Sequence, residues 1–171
     1  ANFKSNALSF YKDKTLLRID KFLNKYNLTD KEDCINGVNV PPIKELIEQV
    51  DFDLIIGDEP SGFHGDFILD NILINDNEFT LIDWRQDFSG SIDAGDMHYD
   101  LAKLNHNLTL DHETLSKNLF EIKVGEQVKC DVYIKKSKLE CQEYLKNFCY
   151  NRGISYDAIN TLSSIIWINM A

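Results

Sequence analysis

Long apolar runs are missing from this sequence. No stretch reaches the roughly 18 apolar residues that a membrane-spanning helix needs. The first residues, ANFKSNALSFYKDK, also lack the apolar segment of a secretory signal. These absences argue against a membrane protein and against a secreted one. We therefore predict a cytoplasmic location and no membrane partner.

Closely spaced cysteines are missing as well. The four cysteines form no C-x-x-C pair, so the sequence indicates neither a zinc site nor a redox pair. Two of them fall on the apolar side of a predicted helix, at positions 141 and 149. We expect buried, reduced, structural cysteines. The four are Cys34, Cys130, Cys141 and Cys149.

The chain also has no excess of basic residues. The chain has 18 Lys and Arg residues against 28 Asp and Glu residues, for a formal net charge of −10. Nucleic-acid binding needs a concentrated basic face, so no nucleic-acid partner is expected. The acidic balance fits a cationic ligand or metal-bound phosphates, although solubility alone also explains it.

Apolar residues recur at helical spacing in five segments. These are residues 16–26, 43–50 after Pro42, 97–108 after a capping Asp96, 141–149 before Gly153, and the closing AINTLSSIIWINMA. Two hairpins are indicated by β-prone runs with turn residues between them, namely 71–74 with 79–82 and FEIKV with VKCDVYI. The 171 residues suit one domain. Because the last helix stops in mid-pattern, we expect the natural chain to be longer.

One stretch, FHGDFILDNILINDNEFTLIDW, combines acids and an amide with the first hairpin. Asp66 precedes Asn71 by five residues, and Asp83 follows Asn71 by twelve. Residues that enter one strand and leave its antiparallel neighbour meet at one end of a hairpin, so Asn71 and Asp83 are expected to converge. Their oxygens suit a metal ion that carries phosphates. Asp66 is then free to accept a proton, as phosphoryl transfer to a hydroxyl requires.

The same stretch resembles a known family. HGDFILDN followed by LIDW is similar to the H-G-D-x-x-x-x-N and I-D-[WF] motifs of aminoglycoside phosphotransferases and choline/ethanolamine kinases, which are relatives of the protein kinases. GDMHYDLAKL matches the loop and D-L-A helix that often follow, so the resemblance covers residues 63–104. It implies an α+β fold: a protein-kinase-like C-terminal lobe, mostly helical, with a catalytic β-hairpin.

The resemblance also implies a role for each motif residue. Asp66 would be the catalytic base, which orients the acceptor hydroxyl and takes its proton. Asn71 and Asp83 would bind Mg²⁺ that bridges the phosphates of ATP, and His64 and Asp100 would support the catalytic loop. The implied enzyme is a kinase for a hydroxyl of a small acceptor such as choline, ethanolamine, an aminoglycoside or a sugar. The acidic balance of the chain favours a cationic acceptor.

Two features depart from the family pattern. Residues 1–60 show no glycine-rich turn between two strands and no lysine in an apolar strand, so the N-terminal nucleotide lobe is expected to be absent. Ile68 stands two positions after Asp66, where protein kinases keep a lysine. We therefore expect residues 1–171 to form a single kinase-like C-terminal lobe, with a missing lobe or an attached domain as partner.

Two other functions stay open. A kinase-like lobe without activity would bind a partner or regulate an attached domain. A metal-dependent hydrolase would use His64, Asp66, Asp83 and His98 as ligands, although zinc sites generally use more closely spaced histidines and cysteines.

Several further side chains have more than one interpretation. Arg85 would neutralise either a phosphate or an acid such as Asp87. Three aromatic residues could line a pocket for a quaternary ammonium group, although core packing is preferred for the last: Tyr99, Trp84 and Trp167. Surface or loop positions are expected for three histidines: His98, His106 and His112.

Overall fold

The computed structural model describes residues 3–170 and shows a mixed fold of helices and short strands. Its helices are α1 (Phe3–Leu8), α2 (Lys14–Tyr26), α3 (Ile43–Glu48), α4 (Phe52–Ile55), α5 (Met97–Thr109), α6 (His112–Ser116), α7 (Lys136–Asn151) and α8 (Tyr156–Ile168). Its strands are β1 (Asp33–Ile35), β2 (Val38–Val40), β3 (Ile72–Asn75), β4 (Glu78–Leu81), β5 (Phe120–Val124) and β6 (Val128–Val132). All five predicted helices and both predicted hairpins are confirmed.

The core lies where α5 packs on α8. Ala102 and Leu108 of α5 are fully or almost fully buried, as are Ile159 and Leu162 of α8. Burial of these apolar side chains supplies the main stabilising contribution of this region. Within the described residues, no helix combines the length and the apolar content needed to cross a membrane.

The amino-terminal helices form one side of this core. A π-helical segment, Ser9–Asp13, joins α1 to α2, and α2 ends at Asn27, whose φ of 52° is a left-handed conformation that commonly closes helices. Ile19 of α2 faces inward, as its spacing predicted. Tyr26, in the last turn, is exposed and packs against the ring of Phe22 instead.

A four-stranded sheet in the order β2-β1-β6-β5 was not predicted. The β1–β2 hairpin turns at Asn36 and Gly37, which both have positive φ, and β1 runs parallel to β6. This strand pair within residues 1–60 was not predicted, although its turn holds one glycine and is not glycine-rich. The Asn-Gly pair is a strong hairpin signal, but strands of three residues leave little hydrophobic pattern around it.

The β3–β4 hairpin has the expected antiparallel register. Ile72 pairs with Leu81 and Asn75 with Glu78. The turn consists of Asp76 and Asn77, whose φ values are 47° and 67°. Aspartate and asparagine tolerate this left-handed conformation better than most residues, which explains why the turn forms here.

Asp96 is both the cap of α5 and a buried junction between three segments. Its carboxylate accepts hydrogen bonds from the backbone N–H of His98 (2.9 Å), the hydroxyl of Tyr11 (2.8 Å) and the N–H of Gly57 (3.2 Å). The predicted cap is confirmed, and the two longer-range bonds are new. Burial and the neighbouring Asp96 carboxylate together raise the pKa of Tyr11 well above its usual range. Asp96 thus connects the π-helical segment before α2 and the loop after α4 to the start of α5.

The cysteines differ from the expectation in their burial. All four are free thiols, but only Cys149 is buried, and burial raises the pKa of its thiol. Cys141 is exposed, and Cys34 and Cys130 are half-buried. The expectation of a buried Cys141 is wrong because it lies on the outer side of α7, whereas Leu145 and Cys149 face the core.

His106 is buried, so its predicted surface position is wrong. Its ring packs on Trp167 with 3.9 Å between ring centroids, and Nε2 lies 2.9 Å from the Sδ atom of Met170. Nδ1 is buried without a hydrogen-bond partner in the described part of the chain. Burial, with the nearby positive charge of Lys103, lowers the pKa of His106 to about 4. The ring is therefore neutral at neutral pH.

This lowered pKa predicts a loss of stability in mild acid. Because the unfolded chain binds a proton at this histidine below about pH 6.5 and the folded chain does so only below about pH 4, stability falls as the pH drops between these values. Between pH 7 and pH 5 we expect His106 to account for a loss on the order of 1 kcal/mol, after allowance for solvent screening. Urea unfolding of the wild type and His106→Phe at both pH values measures it. An equal loss in the two proteins would contradict the prediction.

Candidate active site

Asp100 holds the loop that carries Asp66. Its two carboxylate oxygens accept hydrogen bonds from the backbone N–H groups of His64 (2.6 Å) and Gly65 (2.8 Å). Burial raises the pKa of Asp100, while the two N–H groups favour its charged form. Gly65 has a φ of 81°, and a Cβ atom there would lie 2.6 Å from the Arg85 side chain, so a larger residue does not fit. The first turn of α5 thereby fixes the backbone next to Asp66.

His64 joins this loop to the end of the β3–β4 hairpin. Its Nε2 lies 2.8 Å from the carbonyl oxygen of Ile82, and its Nδ1 lies 3.2 Å from the backbone N–H of Asp66. A carbonyl accepts and an N–H donates, so the ring is neutral with its proton on Nε2. The carbonyl of His64 also accepts from the N–H of Arg85 (2.9 Å). Both ring nitrogens of His64 thus form hydrogen bonds within the protein.

Asn71 lies beside Asp66, as the five-residue spacing suggested. Its Nδ2 donates to the backbone carbonyl of Asp66 (2.9 Å) and approaches Asp66 Oδ2 at 3.4 Å. Because both partners are acceptors, the nitrogen must face them, which leaves Oδ1 as the free end of the amide. Asn71 is buried at 8% exposure, at the end of the 3₁₀ turn Leu69–Asn71.

Asp83 lies at the same end of the hairpin as Asn71. The N–H of Ile82 donates to the carbonyl of Asn71 (3.0 Å), which extends the strand pairing to the residue before Asp83. Asp83 is exposed and has a φ of 61°, an uncommon conformation for a residue that is not glycine. Its carboxylate makes no hydrogen bond or ion pair with any residue that the structure describes.

These two residues fit a magnesium ion. They present one amide oxygen and one unpaired carboxylate, which are hard oxygen ligands of the type that Mg²⁺ prefers. Two protein ligands suit this ion because it generally keeps several waters and binds substrate phosphates directly. The free amide end of Asn71 and the unpaired Asp83 carboxylate are the observations that support this fit.

Lys103 is a site residue that the sequence analysis missed. Its Nζ lies 2.7 Å from Asp66 Oδ1, and the residue is only 8% exposed. It lies three positions after Asp100 on α5, so the two side chains share one face of the helix. That spacing was the available signal, since Asp100 was already expected to face the loop. Lys103 supplies an ammonium group to Asp66 although Ile68 stands at the position of the kinase lysine.

Asp66 is an anion held between two donors. Burial alone would raise the pKa of Asp66, but the hydrogen bond and charge of Lys103, with Arg85 and Asn71, lower it overall. The carboxylate is therefore ionised at neutral pH. Lys103 contacts one of its oxygens and Asn71 approaches the other, so the two sides of the carboxylate face different surroundings.

The aromatic candidates lie in three different places. Trp84 is exposed and packs on the His64 ring at 4.7 Å, and Trp167 packs on His106. Only Tyr99 lines a cavity beside Asp66, and the Arg85 guanidinium already lies over its ring at 6.0 Å. The structure does not bring these three rings together into one pocket for a quaternary ammonium group.

The last candidates are Arg85 and the histidines, including the ligands that a metal-dependent hydrolase would need. Arg85 forms no ion pair with Asp87, whose Oδ1 accepts instead from the N–H of Gly90. His98 is half-buried with its Nδ1 3.1 Å from the carbonyl of Ile55, and His112 is exposed. Among residues 3–170, no three His, Cys, Asp or Glu side chains are grouped closely enough to hold a metal ion. The four ligands of the hydrolase hypothesis are therefore not assembled.

A half-buried aspartate fixed by a lysine, beside an amide oxygen and an unpaired carboxylate, provides the groups that phosphoryl transfer uses. The sequence model of the phosphotransferase enzyme family (APH) matches residues 13–115, more than half of the chain. The chain belongs to this family, which confirms the resemblance found in the motifs. Comparison with curated proteins and with solved structures found no match.

Proposed function

We propose that this chain is the C-terminal, catalytic lobe of an ATP-dependent kinase that phosphorylates a hydroxyl of a small molecule in the cytoplasm. The observation that carries the proposal is the position of Asp66, which lies between Lys103 on one side and Asn71 on the other. Membership of the phosphotransferase family supports the reaction class. The same membership supports the assignment of this chain as a protein-kinase-like lobe.

Asp66 would receive the acceptor hydroxyl. An ionised carboxylate accepts a hydrogen bond from that hydroxyl and directs its oxygen toward the phosphoryl group. Its lowered pKa makes it a weak base, so its main contribution is orientation, and it takes the proton as the new bond to phosphorus forms. Lys103 keeps the carboxylate charged and in place, and His64 and Asp100 keep the loop rigid.

Asn71 and Asp83 would hold Mg²⁺ together with the phosphates of ATP. When bound there, the ion neutralises charge on the nucleotide phosphates. The rigid backbone pairing between Asn71 and Ile82 keeps the two ligands at one end of the hairpin. The other nucleotide contacts would come from a second lobe or an attached domain, because residues 3–60 contain helices and only one short strand pair.

The proposal predicts magnesium-dependent ATP binding that requires Asp83. Calorimetric titration of the full natural protein with ATP should show binding with Mg²⁺ that EDTA weakens. Asp83→Ala should weaken it at least tenfold, since a charge-assisted contact contributes about 1.5–3 kcal/mol. Asp93→Ala is the matched control, because it removes an exposed carboxylate from the following loop. Unchanged MgATP affinity in Asp83→Ala would refute the metal assignment.

A lobe without catalytic activity is the second candidate. The observation in its favour is the ion pair of Asp66 with Lys103, which makes this carboxylate a weaker base. MgATP binding without transfer to any of the acceptors choline, ethanolamine, aminoglycosides, sugars and sugar phosphates would favour this candidate. Turnover of any one of them would rule it out.

A further inference from the structure

A small cavity with a positive lining opens next to Asp66. Its volume is about 80 Å³, and it lies between α2, α5 and α8. Four cationic side chains line it: Lys14, Arg18, Arg85 and Lys103. Lys103 connects the cavity to the site because its Nζ also contacts Asp66 Oδ1. In a chain with a formal charge of −10, this concentration of positive charge is local and unexpected.

Three of these cations lack an acidic partner. Within the described part of the chain, Lys14, Arg18 and Arg85 have no carboxylate oxygen within 4.0 Å. Arg18 donates to the backbone carbonyl of Asn169, and Lys14 lies 4.0 Å from the centre of the Phe10 ring. Only Lys103 has its charge neutralised by an ion pair, so the cavity keeps a net positive field.

The cations also repel one another. Burial lowers the pKa of Lys14, and the charges of Arg18 and Arg85 lower it further, against a smaller opposing effect of Asp87. Such like-charge repulsion costs free energy that a bound anion would remove. Two guanidinium groups and an ammonium group around one cavity match the charge and the hydrogen-bond acceptors of a phosphate group.

We propose that this cavity binds a phosphate group of the acceptor, so that the substrate is a hydroxyl-bearing phosphate monoester, such as a sugar phosphate. The inference rests on the proposed function, since it assigns the acceptor of that same site. The cavity has room for one phosphate group, and the hydroxyl-bearing part of the molecule would extend from it toward Asp66.

Lys103 links the cavity to one side of the Asp66 carboxylate. Oδ1 of Asp66 faces Lys103 and therefore the cavity, whereas Oδ2 faces Asn71 and the magnesium ligands. An acceptor hydroxyl at Asp66 would then lie between the cationic cavity, which binds the phosphate of the acceptor, and the phosphates of the nucleotide. The same geometry disfavours the cationic acceptor expected from the net charge. Arg85 also covers the Tyr99 ring that a quaternary ammonium group would need.

Calorimetry of the full natural protein tests the assignment. Titrations with inorganic phosphate, glucose 6-phosphate, glucuronate, glucose and choline would be done in EDTA without nucleotide, which separates this cavity from the magnesium site. We expect inorganic phosphate and glucose 6-phosphate to bind at least tenfold more tightly than glucose, glucuronate and choline. Arg18→Gln and Lys14→Gln should each weaken phosphate binding about tenfold, because each removes a charge-assisted contact. Lys21→Gln is the control, since it removes an exposed charge from the same helix.

The outcomes separate the two proposals. Phosphate binding that is absent, unchanged in both variants, or weaker than binding of choline or glucuronate would overturn this inference. An equal loss of MgATP affinity in Arg18→Gln would also overturn it, because the cavity would then hold nucleotide phosphates. MgATP-dependent transfer to choline without phosphate binding would support the proposed kinase function and refute the assignment of a phosphate-bearing acceptor. Thermal unfolding of each variant verifies that it is folded.

Discussion

Asp66→Asn should lower kcat for phosphoryl transfer by about 10²–10⁴-fold, the range that a positioned acid–base group contributes. The amide has nearly the same shape but no charge, so it neither attracts the acceptor proton nor pairs with Lys103. Affinity for MgATP should stay within about twofold, because Asn71 and Asp83 are unchanged. Steady-state kinetics of the full natural protein, together with MgATP calorimetry, measure both quantities.

Asp70→Asn is the matched control for this variant. Asp70 lies in the same loop, its carboxylate is about half exposed, and it lies 3.7 Å from Nδ1 of the exposed His112. The same substitution there should leave kcat within about twofold, as for most exposed positions. Normal turnover by Asp66→Asn would refute the role of Asp66. Equal losses in both variants would instead show that the loop tolerates no change of charge.

Asp96→Ala should lower the free energy of unfolding by about 3–5 kcal/mol. The variant loses the cap of α5 and leaves the Tyr11 hydroxyl and the Gly57 N–H buried without partners. Domains of ordinary size have only about 5–15 kcal/mol of total stability, so the variant should be close to unfolding near body temperature. Urea unfolding followed by circular dichroism measures the change.

Two milder variants test the cause of this loss. Asp96→Asn keeps an oxygen for the cap and should lose less than Asp96→Ala. Tyr11→Phe removes one hydroxyl and its hydrogen bond to Asp96, so we expect a loss of about 1 kcal/mol. A loss below 1 kcal/mol in Asp96→Ala would show that the three hydrogen bonds do not stabilise the fold.

Local pattern was enough to locate the hairpin and its polar ends. The apolar runs around Asp76 and Asn77 specify strand, turn and register, and the register brings Asn71 next to Ile82 and therefore near Asp83. The short β1–β2 hairpin escaped detection because its three-residue strands carry little hydrophobic pattern, and its parallel pairing with β6 joins residues far apart in the sequence. No periodicity within one segment reports such a contact.

The burial of individual side chains followed less directly from the sequence. Cys141 and Cys149 share a helix and a residue type, yet one is exposed and the other is buried. His106 looked like a surface residue, but α8 brings Trp167 against it. Helical spacing defines which residues share a face, whereas the neighbouring element decides how much of that face is covered.

The sequence by itself determined the family, five of the helices, two of the hairpins, and the grouping of Asp66, Asn71 and Asp83, because these depend on contacts within short segments. Only the tertiary structure decided that Lys103 neutralises Asp66 and that Lys14, Arg18 and Arg85 surround one cavity. These cations come from α2, α5 and the segment after the hairpin. The net charge of −10 averages over the surface, whereas electrostatic recognition depends on the charges within a few ångströms of the ligand.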